Sequence, residues 1–131
     1  MRLNQMAVSL NVPDPQAAAE FYTTRLGFGI AMQDDGFVSL SHPDLATNLV
    51  FLRTGLASFK PASRAGSAGD GLLLAFVVDD VDAEFARLAT AGVEVVTPLE
   101  TEPWGERYCQ FADPNGLIVQ FVQWVEQPPQ Q

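Results

Sequence analysis

The stretch Thr101–Phe121, TEPWGERYCQFADPNGLIVQF, decides how the chain folds on paper. It parses as a loop, a strand, a tight turn and a second strand. Asp113-Pro114-Asn115-Gly116 is a hairpin signal, because the proline ring presets φ at one turn position while Asn and Gly tolerate the left-handed conformation needed at another. Strands from Glu106 to Phe111 and from Leu117 to Val125 are therefore expected to pair antiparallel. Ahead of them, Pro103-Trp104-Gly105 puts a large aromatic on a loop, where it either plugs the end of the core or lines a cleft.

Toward the N-terminus, Val93 to Thr97 reads as a further strand. Before it comes a helix from Val81 to Ala91, capped by Asp80 and stopped by Gly92, and before that an apolar strand from Leu72 to Val78. The first half carries the same pattern. Gln5 to Val12 is a strand, Asp14 caps a helix with Pro15 in its first position, and Ala17, Ala18, Phe21, Tyr22 and Leu26 form its apolar face up to Gly27. Strands at Phe28 to Met32, Gly36 to Ser41 and Asn48 to Thr54 follow. Val12-Pro13-Asp14 and Val78-Asp79-Asp80 thus open two copies of a β-α-β-β-β unit about 66 residues apart, which predicts an α+β fold with two-fold pseudosymmetry and a shared cleft. The boundaries are module one over about 1–56, a mobile small-residue connection over about 55–70, module two over about 71–126, and a disordered Pro-Gln tail at 127–131.

With 131 residues, 47% of them hydrophobic, the chain suits one globular domain over 1–126. It has no apolar run of about 18 residues and no continuous apolar segment at its start, so a soluble, cytoplasmic protein without membrane partners is expected. Cys109 is the single cysteine and reads as a small buried hydrophobe. The formal charge of −9 is unevenly spread: residues 1–65 balance, whereas residues 66–131 set Arg87 and Arg107 against eleven acids. Such a surface repels phosphate backbones, so no nucleic-acid partner is expected, and it attracts small cations.

Val12-Pro13-Asp14-Pro15 with Glu20-Phe21-Tyr22 and Arg25-Leu26-Gly27-Phe28, then Val78-Asp79-Asp80 and Asp113-Pro114-Asn115-Gly116, resemble the vicinal-oxygen-chelate superfamily. That superfamily includes glyoxalase I, extradiol dioxygenases, fosfomycin-resistance enzymes and bleomycin-resistance proteins. The resemblance implies paired βαβββ modules forming a curved, barrel-like mixed sheet with the helices outside, usually in a homodimer with clefts between modules or chains. Its catalytic members hold a divalent ion through four His, Glu or Gln ligands. The matching positions here are Ala7, Phe51 (or, one residue either way, Val50 or Leu52), Leu73 and Gln120. One amide among apolar side chains does not hold such an ion, so neither metal nor cofactor is expected and an enzyme is disfavoured. His42 reads as a turn residue beside Pro43, and the acids at Asp79, Asp80 and Asp82 as helix-capping groups.

Pro103-Trp104-Gly105 looks most like the bleomycin-resistance branch, in which such a loop supplies an aromatic wall and the ligand is sequestered unaltered. The resemblance implies a cationic or aromatic, antibiotic-like small molecule as partner and Trp104 as stacking residue. Strand position adds Phe37, Phe51 and Tyr108 as walls. Alternation places Ala7, Ser9 and Asn11 on one face, to meet Phe51, Leu73, Ala75 and Gln120, with Ser9, Asn11 and Gln120 as polar contacts. The alternatives are a metal-dependent glyoxalase-like lyase or dioxygenase with its ligands elsewhere, or acid–base chemistry by Glu102 and Glu106.

Overall fold

Asp14 and Asp80 open the two helices in the same way. Both hold extended backbone (φ −137°, ψ 91° and φ −141°, ψ 90°), and each side chain accepts from the amide three residues on, Ala17 and Ala83, at 3.1 Å. These caps satisfy backbone donors that a helix start leaves without partners. They fix the corner after the first strand of each module. The computed structural model describes residues 1–125, so the tail at 127–131 lies outside the described residues.

The described chain forms two units, which divide between Asp70 and Gly71. The first contains β1 (Met6–Val12), α1 (Pro15–Leu26), β2 (Gly29–Asp34), β3 (Phe37–His42) and β4 (Leu45–Arg53), in sheet order β1-β4-β3-β2. The second contains β5 (Leu73–Val77), α2 (Val81–Thr90), β6 (Val95–Thr101), β7 (Glu106–Ala112) and β8 (Ile118–Trp124), in order β5-β8-β7-β6. In each sheet the strand before the helix pairs parallel with the last strand, and the other pairings are antiparallel. This is the α+β architecture of two βαβββ modules.

Each helix covers one face of its own sheet. In the first unit Tyr22 stacks on Phe51 (5.2 Å between centroids) over buried Leu10, Val12, Val38, Leu40 and Leu49. In the second, Val81 and Leu88 are buried with Cys109, Phe111, Val119 and Phe121, and Phe85 leans on Phe111. Burial pushes the Cys109 thiol up to about 11, so it packs as a hydrophobe rather than ionising. Outside this core, Arg107 reaches from β7 to α2 and binds both carboxylate oxygens of Asp82 (2.9 and 2.6 Å), which holds the Asp82 carboxyl below its usual range.

Several elements differ from the sequence expectation. β4 begins at Leu45 rather than Asn48, because His42 pairs with Leu45 across a tight turn. β6 runs over Val95–Thr101 rather than Val93–Thr97 and carries Pro98 within it. An edge strand tolerates a proline, and the register shifts on both sides of Thr97 absorb it. In the hairpin between β7 and β8, Gly116 takes the left-handed conformation (φ 82°), whereas Asn115 does not. There the buried Asp113 carboxylate accepts from the amides of Asn115 and Leu117, both at 2.9 Å.

The connection expected to be mobile is tied to the first unit over much of its length. Gly55 N–H donates to the Ala65 carbonyl (2.7 Å), a 3-10 turn spans Ala62–Arg64, and the Asn11 amide donates to the carbonyls of Arg64 (2.9 Å) and Gly66 (2.8 Å). His42 has a structural task as well. Its Nδ1 accepts from the Asp44 amide (3.1 Å), which leaves Nε2 to donate to the Leu26 carbonyl (3.1 Å) at the end of α1.

Candidate functional site

Residues paired across a ladder project from the same side of their sheet, so the register sorts the candidates by face. In the first sheet Ala7 pairs with Asn48, Ser9 with Val50 and Asn11 with Leu52, while Phe37 also pairs with Leu52. This is the side turned from α1. Phe51 pairs with Leu10 and Val38 on the opposite side and is 0% exposed beneath α1. The expectation that Phe51 walls a ligand cleft is therefore corrected: it is a core residue, and a ligand would reach it only by displacing Tyr22. Ser9, Asn11 and Phe37 do share the helix-free face. Both amide hydrogens of Asn11 are spent on the backbone carbonyls of the connection, so its remaining hydrogen-bonding atom is the acceptor Oδ1.

In the second sheet the helix-free face carries Gln120 paired with Ala75 and Gln110, Val122 paired with Val77 and Tyr108, and Leu73 paired with Ile118. Gln120 and Tyr108 thus lie on one face of one module. Two polar groups organise it. Thr97 Oγ1 donates to Gln110 Oε1 (2.7 Å), and Gln110 Nε2 donates to Gln120 Oε1 (2.8 Å). The Tyr108 hydroxyl lies 2.8 Å from Glu102 Oε1 and 3.2 Å from Glu100 Oε2, so two carboxylates compete for one phenolic proton. The hydrogen bond to Glu102 is the main cause that pushes the Tyr108 phenol up to about 12.

Trp104 occupies the turn between β6 and β7, two residues after Glu102. The turn is held by bonds from Glu102 N–H to the Glu106 carbonyl (2.8 Å), from Gly105 N–H to the Glu102 carbonyl (2.9 Å) and from Val125 N–H to the Gly105 carbonyl (3.0 Å). Gly105 is buried with φ 93°, a conformation that suits a residue without Cβ. The Trp104 side chain is 49% exposed, so it is not a core plug of its own module. Thr97, Glu100, Gln110 and Trp124 belong to this neighbourhood and were not singled out from sequence. Alternation along Tyr108, Gln110 and Ala112 carried the signal for Gln110, and a β6 continued through Pro98 would have carried it for Glu100.

The donor set at the superfamily's metal positions does not fit a divalent ion. Ala7 and Leu73 have no ligating atom, β4 turns Asn48, Val50 and Leu52 to the helix-free side, and Gln120 is a neutral amide. Among the described residues no three His, Cys, Asp or Glu side chains form a group able to hold a metal ion. Nor is any described helix long and apolar enough to cross a membrane.

Comparison with known proteins agrees with this architecture. An uncharacterised protein of Mycobacterium bovis is 36% identical over 86 residues, covering 66% of this chain and 51% of that protein, so the chain spans about half the length of the curated relative it matches. The solved structure of a glyoxalase/bleomycin resistance protein/dioxygenase from Nocardioides superposes with a TM-score of 0.78 at 26% identity, over 100% of this chain and 91% of that one. TnmS3, an antibiotic binding protein from Streptomyces, superposes with a TM-score of 0.70 at 30% identity, over 93% of this chain and 96% of that one. The family model described as Glyoxalase/Bleomycin resistance protein/Dioxygenase superfamily matches residues 2–121, and the chain belongs to that superfamily.

Proposed function

We propose that the protein is a metal-independent binding protein, a cytoplasmic homodimer that sequesters a cationic or aromatic small molecule without altering it. The ligand stacks on Trp104 and lies against the helix-free face of the second sheet. The observation that carries this reading is a half-exposed indole on the turn next to a face holding two carboxylates and a phenol. Stacking contributes about 0.5–1.5 kcal/mol beyond buried area, and a cation over an indole adds about as much or more. Two such contacts with a carboxylate pair support micromolar binding. The likeness to an antibiotic binding protein supports the same reading.

The test is a titration with metal-free bleomycin in chelator and low salt. A Trp124→Phe variant should show saturable quenching of Trp104 at one ligand per chain, and calorimetry of Trp104→Ala should give affinity at least about tenfold weaker. Unchanged affinity in Trp104→Ala removes Trp104 from the site. A stoichiometric divalent ion in protein purified without chelator overturns metal independence.

A further inference from the structure

Thr97, Gln110 and Gln120 stand on three successive strands, β6, β7 and β8, and their side chains form a directed relay across the helix-free face. The Thr97 hydroxyl gives its proton to Gln110 Oε1, and the Gln110 amide turns its Nε2 toward β8. There it gives a proton to Gln120 Oε1. Gln120 has now spent its acceptor. Its NH2 group has no hydrogen-bond partner among the described residues and is not sealed from solvent. Around it stand Ala75 across the ladder and Val122 along the strand, which offer no competing acceptor side chain.

An amide has nearly the same shape with oxygen and nitrogen exchanged, so its neighbours decide which end faces outward. Here Gln110 turns its Nε2 to Gln120 Oε1, and the end of Gln120 presented is the donor. A donor in apolar surroundings discriminates strongly between a ligand that brings an acceptor and one that does not. We propose that Gln120 donates to a carbonyl oxygen of the ligand and that Gln110 is a positioning residue whose Nε2 holds the Gln120 amide in its donating orientation. The ligand class narrows to a flat aromatic cation that carries a ring carbonyl. This inference rests on the helix-free face of the second sheet being the ligand face.

The experiment uses the full chain and two probes that share one ring system and one ammonium arm: an aminoalkyl-fluorenone and the corresponding aminoalkyl-fluorene, which lacks the ketone oxygen. Calorimetry of the unsubstituted protein should show the fluorenone binding about tenfold tighter than the fluorene. Gln120→Leu should bring the ratio to one. Gln110→Glu should also abolish the preference, because a carboxylate there accepts from the Gln120 amide and turns its oxygen outward. Far-UV circular dichroism and the melting temperature should hold across the series, which a general loss of structure would not allow. Equal binding of both probes by the unsubstituted protein overturns the hydrogen-bond assignment and leaves the proposed function standing. A ratio unchanged in Gln110→Glu overturns the positioning role. Binding of neither probe removes this ligand class and the inference with it, while the bleomycin titration separately decides whether the face binds ligand.

Discussion

Tyr108 shows what a single residue gains from its two acidic neighbours. Its ordinary pKa is 10.0 and the fold raises it to about 12, first through the bond to Glu102, then through partial loss of solvent and the negative charges of Glu102 and Glu100. The protonated phenol is the favoured form. Its contribution to stability is therefore complete below pH 10.0 and is lost as pH rises through about 12. Glu102→Gln should move the phenolate absorbance midpoint down toward 10.0, and Glu100→Gln, with the longer contact, should move it less. A difference titration against Tyr108→Phe isolates the signal, and an unmoved midpoint in Glu102→Gln would assign the shift to burial instead. The same pair of carboxylates is what a cationic ligand arm would meet beside Trp104.

At the scale of elements, the helix starts are open to a direct test. Asp80→Ala should cost about 1 kcal/mol, read as a lower denaturant midpoint with an unchanged slope, and Asp80→Asn should retain most of the stability. The bond from Val81 N–H to Gln123 Oε1 (2.9 Å) keeps the helix anchored in both variants. Both helices, their aspartate caps and the repeat were legible in the sequence because each depends on local chemistry: an Asp before an apolar periodic run and a Gly after it. Phe51 was not. Leu49-Val50-Phe51-Leu52 is apolar on both faces of β4, so alternation supplies no phase and sequence cannot tell which residues turn toward α1. In β8 the polar Gln120 among Ile118, Val119, Phe121 and Val122 supplies that phase, and the ladder pairs it with Ala75. The end of β6 was missed because Pro98 looks like a strand stop unless the strand is known to lie on an edge. Glu100 was lost with it.

For the whole molecule, the net charge of −9 resides entirely in residues 66–131. Association of the cationic aminoalkyl-fluorene should therefore slow several-fold between low and physiological ionic strength in stopped-flow measurements, while a neutral fluorenone should respond little. Equal salt responses would mean that the acidic half does not guide capture. Pro98 has a consequence at this scale too. It sits on the outer strand of the second sheet, where it contributes no N–H, and the flanking register shifts break the regular spacing of the remaining donors and acceptors. A foreign strand offered to that margin meets an irregular row of partners, which disfavours polymerisation of the module along β6, the first step toward a fibril.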